Sequence, residues 1–354
     1  MNRLKHLDVL RGLAITLMVL NHAGHYLTAS PVSLPVYFFV YLTVAWAGPL
    51  FLFVSGYCLF LAYQRHPKFK YFLKRGLWLI GCGLLVNLLF YFEEPIYRGR
   101  ILLTLGLGAI AVYPFLGLLK RPKAAGWLLL LSLIGILISP WIWLGLERIS
   151  QPLFKDLFAS EFPFYPWFLL LLLGSISAKL VAGLKAENLR TVYYRLIGFS
   201  LSVILIWFLA SISSGRSLLW LFDYDLNVNG YWLPSILTWL WVLGGVIFWW
   251  ALFGLLELRL ATAQKDKLSF FNFISSLKMG FLAVLGREAL LIYFLQFFLI
   301  ITIGQKLLRI SVAGFINYLI ISSIIILILW CLAIFKERAG STASSRAKLT
   351  DRIF

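Results

Sequence analysis

Acidic residues are scarce in this sequence: 14 of 354 positions are Asp or Glu against 32 Lys and Arg, a formal net charge of +18. Charge of either sign is scarce as well, at 13% where soluble domains carry about 25%. These figures exclude an ordinary soluble domain, and continuous apolar sequence excludes disorder, collagen and coiled coil. Three cysteines, Cys58, Cys82 and Cys331, fall in apolar runs without paired or ligand-like spacing, so neither a disulfide framework nor a zinc site is indicated. With four histidines, no HExxH pattern and no acidic cluster in the apolar runs, metal catalysis has no basis in the sequence. A phosphate-binding glycine loop and a nucleophile elbow are also missing. No internal repeat is visible at the level of identity, so an inverted-repeat transporter gains no support. Nor does a small-residue cleavage site follow the first apolar stretch, which Asp8 and Arg11 interrupt; a retained first helix is expected.

What fills the chain is apolar sequence, 61% of it, with a mean hydropathy of +0.90. Runs of spanning length occur at about 8–28, 37–63, 71–92, 101–119, 124–145, 163–183, 191–212, 231–256, 281–305 and 313–335. They are continuous rather than alternating, which predicts an all-α integral membrane protein, a bundle of about ten transmembrane helices. Pro49 and Pro114 are expected to mark kinks. Basic connections alternate with connections that hold most of the acids, which by the positive-inside rule puts both termini in the cytoplasm. The whole excess of +18 then lies on the cytoplasmic connections, an orientation signal rather than a nucleic-acid signature. Residues 1–335 are read as one transmembrane domain and 336–354 as a basic, disordered cytoplasmic tail. An outer connection at about 213–230 is long enough to fold, and an inner one at about 257–280 reads as an interfacial helix with Phe270, Phe271, Phe273, Ile274 and Leu277 toward lipid.

Ionisable groups inside spans cost several kcal/mol unless paired or solvated, so they are functional candidates. In the first helix Arg11, Ile15, Met18, His22 and His25 share one stripe, with Asp8 a turn before Arg11. Structural alternatives stand beside a functional role: an i, i+3 pair for Asp8 and Arg11, and an interhelical hydrogen bond for His22. In the ninth helix Arg287 and Glu288 point about 100° apart, so at least one needs a partner on another helix. Gly48, Ser55 and Gly56 permit close approach of another helix or a ligand, packing being the commoner use. Phe162 to Trp167 could be no more than a helix start and an aromatic belt.

Five segments together resemble the membrane-bound acyltransferase superfamily, most closely the heparan-alpha-glucosaminide N-acetyltransferase catalytic-domain family and its bacterial relatives. They are Arg3 through His22, Gly48 to Gly56, the basic stretch with Lys74-Arg75-Gly76, Phe162 to Gly174 with its Pro-x-x-Pro-Trp core, and Gly286 to Gln296. The resemblance implies transfer of an acyl group, usually acetyl, from cytoplasmic acyl-CoA to a sugar hydroxyl or amine on the other face, with the family's membrane histidine at His22. Two positions depart from the pattern: Gln296 stands where relatives often have His, and Leu103-Thr104-Leu105-Gly106 where many have a Gly-Ile-Leu-His or Gly-Ile-Leu-Gln element.

The chemistry assigns His22 as catalytic base. Asp8, Arg11, Asn21, Arg75, Arg287 and Gln296 are candidates for binding acyl-CoA or substrate, and Asp223, Asp225 and Trp232 for binding the acceptor. Acyl-CoA is expected as donor substrate, with no permanently bound cofactor and no metal. The expected partners are an extracytoplasmic sugar or glycoconjugate and the bilayer, with no nucleic acid, and a homodimer is left open. A bacterial cytoplasmic membrane is the expected location. A transporter of a small solute or lipid-linked sugar and a noncatalytic subunit of a glycan-assembly complex are the alternatives.

Overall fold

A computed structural model describes residues 4–29, 34–121, 123–146, 162–213, 235–263 and 280–350. The protein is an all-α integral membrane protein: among the described residues there is no strand, and eight helices are long and apolar enough to cross a bilayer. The helices are α1 (Lys5–Leu27), α2 (Leu34–Arg65), α3 (Phe69–Phe90), α4 (Ile101–Ala111), α5 (Tyr113–Leu118), α6 (Ala124–Leu146), α7 (Phe164–Val181), α8 (Ala186–Ser213), α9 (Ile236–Ala263), α10 (Ala289–Phe297) and α11 (Phe315–Thr350). Residues 280–287 are helical and lead into α10 through a turn at Glu288, and α10 passes directly into a π-helix, Phe298–Leu307.

Each of the ten apolar runs coincides with helix. The first and fourth fall outside the eight for identifiable reasons: α1 is 23 residues long but its hydropathy is lowered by Asp8 and Arg11 at one end and Asn21, His22 and His25 at the other, and the fourth run is divided at Val112 into α4 and α5. Pro114 lies in the first turn of α5, where its missing N–H costs nothing, so the break falls where expected. Pro49, by contrast, lies inside a helix of 32 residues that continues past it.

The chain forms two compact units, Met1–Ala47 with Leu260–Phe354, and Gly48–Arg259. In the first, α1 lies beside the 280–287 helix at a distance only glycine permits. A methyl group on Gly12 would collide with the Leu282 carbonyl, and one on Gly286 with the Asp8 carbonyl. Further along, the Tyr318 hydroxyl of α11 donates to the Leu20 carbonyl at 2.7 Å, and the Val312 amide donates to the Leu27 carbonyl at 2.8 Å.

In the second unit the same device joins α2 to α7. Gly56 faces the Leu171 carbonyl, Gly174 faces the Phe53 carbonyl, and Ser175 Oγ donates to the Gly56 carbonyl at 2.8 Å. Gly76 of α3 and Gly106 of α4 meet similarly. Trp167 is buried at 1% exposure and packs against Trp239 with ring centroids 5.4 Å apart, so it belongs to the core rather than to an aromatic belt. The connection from α3 to α4 is pinned by Asn87, whose amide donates to the carbonyls of Ile96 and Arg98, and by Glu94, which pairs with Arg98 at 3.0 Å and Arg100 at 2.6 Å. Burial of the spans ranges from 72% for Trp46–Arg65 to 17% for Ala186–Ser213, so α2 is enclosed by protein while α8 turns most of its apolar surface outward, as a lipid-facing helix does.

α11 continues past the last apolar run to Thr350, and Lys336 and Glu337 form ion pairs with Glu288 and Arg287 of the ninth-span segment. The remote part of the outer connection, 214–234, and most of the inner connection, 264–279, lie outside the described residues.

Candidate functional site

The first unit gathers the polar residues of α1, the 280–287 helix, α10 and the start of the tail into two layers. One layer is charged. Arg11 donates to the Gly286 carbonyl at 3.2 Å and lies 3.6 Å from Asp8, so the expected i, i+3 pair forms and also reaches the neighbouring helix. Arg287 grips Glu337 through both forks, Nε to Oε1 at 2.5 Å and an Nη to Oε2 at 2.9 Å, and Lys336 pairs with Glu288. Neighbours on one helix therefore find separate partners on α11, as their divergent directions require. The arrangement keeps charge at the helix ends compensated, and it fixes α11 against the ninth-span segment.

Eleven residues further along both helices lies the second layer, about 16 Å away by helical rise. His22, half-buried, packs against Phe297 with ring centroids 4.7 Å apart, and Tyr26 lies with its ring centroid 6.3 Å away. Beside Phe297, Gln296 is fully enclosed at 0% exposure, and neither its amide nitrogen nor its oxygen has a hydrogen-bond partner among the described residues. An unsatisfied buried amide costs about 1–3 kcal/mol, so such a group is retained against a stability penalty. The helix changes to π geometry immediately after Phe297, a distortion frequent at functional sites. Asn21 is half-buried beside His22 in sequence.

A sequence profile of the heparan-alpha-glucosaminide N-acetyltransferase catalytic family matches residues 3–204, more than half of the chain. The chain belongs to this family. It is thus a transmembrane acetyltransferase, and the match takes in Asp8, Arg11, Asn21, His22 and Arg75 while Arg287 and Gln296 lie beyond it. None of the curated proteins compared with it matches the chain.

The structure sorts the acetyltransferase's candidate residues. Asp8, Arg11, Asn21, His22, Arg287 and Gln296 share the first unit, with Asp8, Arg11 and Arg287 in the charged layer. Arg75 belongs to the second unit, exposed near the start of α3. Asp223, Asp225 and Trp232 lie outside the described residues. Thr104, at a position where the sequence departs from relatives, is 2% exposed and donates to the Phe162 carbonyl at 2.5 Å, so its hydroxyl is engaged in joining α4 to the start of α7. Sequence reasoning missed Phe297, the π-helix, and Lys336 and Glu337. The last two had a readable signal: at least one of Arg287 and Glu288 needed a partner on another helix, and Lys336 and Glu337 are the first charges after the tenth apolar run.

Proposed function

We propose that this acetyltransferase moves an acetyl group from cytoplasmic acyl-CoA to a hydroxyl or amine of a sugar on the other side of a bacterial cytoplasmic membrane, with His22 as general base. The observations that carry the proposal are a half-buried imidazole, His22, packed against the ring of Phe297, and, at the residue preceding Phe297, a buried amide with unused hydrogen-bonding capacity. In this reaction the acceptor lone pair attacks the thioester carbonyl carbon and His22 takes the acceptor's proton. The tetrahedral adduct then expels the CoA thiolate, which recovers a proton from the imidazolium. Gln296 supplies an N–H to the oxygen that becomes negative, the role for which a preorganised donor in a dry site is worth most.

The charged layer suits the donor's entry. Arg11, already on the Gly286 carbonyl, and Arg287 place two guanidinium groups where a phosphate-bearing donor would arrive, although a phosphate reaching the fork of Arg287 must displace Glu337. Asp8 holds Arg11 in place, and Arg75 adds positive charge to the cytoplasmic connections. Asn21 serves as a further hydrogen-bond donor, and Asp223, Asp225 and Trp232 contact the acceptor by hydrogen bonding and stacking. The family name specifies a glucosaminide amine for the members that bear it, which supports an amino sugar among the acceptors to test.

The decisive experiment is acetyl transfer from radiolabelled acetyl-CoA in proteoliposomes, scored against a panel of sugars and lipid-linked sugars. His22→Ala is expected to lower turnover by about 10²–10⁴-fold while leaving the thermal unfolding midpoint within a few degrees of the parent. Full activity in that variant removes His22 as the base. Solute flux without consumption of acetyl-CoA replaces the enzyme by a transporter.

A further inference from the structure

We propose that the end of the second unit where α2, α3 and α5 meet binds an anionic phospholipid. Two basic segments about fifty residues apart converge there. The Tyr113 hydroxyl donates to the Pro67 carbonyl at 2.9 Å, Tyr113 packs edge-on against Phe69 at 5.2 Å, and Lys120 Nζ lies 5.1 Å over the ring of Tyr63. This aromatic cluster brings Lys68, Lys70, Lys74 and Arg75 together with Lys120, Arg121 and Lys123, all seven exposed. No acid occurs between residues 9 and 92 or between 95 and 146. Where acids are at hand elsewhere, this protein pairs its bases, as Glu94 does for Arg98 and Arg100; among the described residues these seven form no ion pair. Orientation in the membrane explains why bases accumulate on this side. It does not explain why they are assembled on a shared aromatic base.

Beside the patch a shallow, open groove of about 440 Å³ lies on one face of α6 and its lead-in, against Lys123, Gly126, Trp127 and Leu130. Trp127 is 64% exposed, and a side chain added at Gly126 would meet nothing within 4 Å. A cation at the mouth of an apolar groove, on a helix whose outward face is already apolar, matches a phosphate headgroup joined to acyl chains. A nucleotide phosphate would use the cations and leave the groove empty. Charge complementarity and the groove together therefore select the lipid.

The full-length protein, purified in a neutral detergent and examined by native mass spectrometry, tests this with phosphatidylglycerol and phosphatidylcholine as probes. Phosphatidylglycerol is expected to be retained selectively. The triple variant Lys120→Gln, Arg121→Gln, Lys123→Gln should lose that selectivity, each neutralised base weakening retention about five-fold at low salt. Gly126→Leu, which fills the groove without changing charge, should weaken retention of the same lipid. A charge-matched control, Lys185→Gln, Arg190→Gln, Arg195→Gln, should keep it. The assignment is overturned if the control loses as much as the triple variant, if both test variants retain phosphatidylglycerol like the parent, or if excess CoA displaces the lipid.

Discussion

The fully buried amide of Gln296 gives the residue scale its sharpest test. Replacing it by leucine removes an unsatisfied polar group while nearly conserving volume, so Gln296→Leu is expected to raise the stability of the ligand-free protein by about 1–3 kcal/mol, read from thermal unfolding. The same variant should lose turnover, the outcome that the proposed role of Gln296 as a hydrogen-bond donor requires. Loss of stability with retained activity would show the opposite assignment. Gly12 and Gly286 predict a contrast of another kind. Either residue changed to Ala would place a methyl against a carbonyl of the facing segment, at a cost of about 1–3 kcal/mol, whereas Gly81→Ala, with nothing within 4 Å, should be neutral or slightly stabilising. In sequence, Gly48 and Gly56 were legible as small residues suited to close packing, while Gly12 and Gly286 were not singled out for it. That Gly56 meets α7 was not legible either, because composition names a surface and leaves its partner open.

Elements show the same division. Hydropathy and length located all ten runs, and Pro114 located the break between α4 and α5, because these properties depend on neighbours along the chain. α11 runs beyond the last apolar run. Hydropathy falls at Lys336, which reads as the end of a span, yet the helix goes on because Lys336 and Glu337 find Glu288 and Arg287 across a helix gap. This clamp is testable by charge exchange. Glu337→Arg should lower the unfolding midpoint by setting like charges together, and Arg287→Glu in the same chain should restore it. Because both side chains are about 30% exposed, the pair itself is expected to contribute only about 1 kcal/mol, visible mainly at low salt.

On the scale of the whole molecule, the charge pattern predicts orientation. Alkaline phosphatase fused after Phe354 should be inactive, and the same enzyme inserted at 213–230 should be active, the outcome required if both termini are cytoplasmic. Active phosphatase at the C-terminus would reverse the proposed sidedness and with it the direction of acetyl transfer. The candidate site follows from the same scale. His22, Arg287 and Gln296 were each readable as polar residues placed in apolar helices, which makes them conspicuous whatever the fold. Their grouping into a charged layer and a layer around His22 needed the parallel register of α1 and the ninth-span segment, set by the contact of Gly12 with Leu282 and of Gly286 with Asp8. Sequence by itself determined that this is a membrane protein, which segments are helical, and which polar residues are out of place, since each follows from the cost of transferring local groups into lipid. Only tertiary structure decided that Trp167 is core, that Thr104 is engaged by Phe162, that Gln296 alone of those two departures keeps its hydrogen bonds open, and that two distant basic segments form one surface. Those outcomes depend on which helix faces which, and the free energy that selects one facing over another comes from side-chain shape and hydrogen-bond pairing across helices, which has no period along the chain.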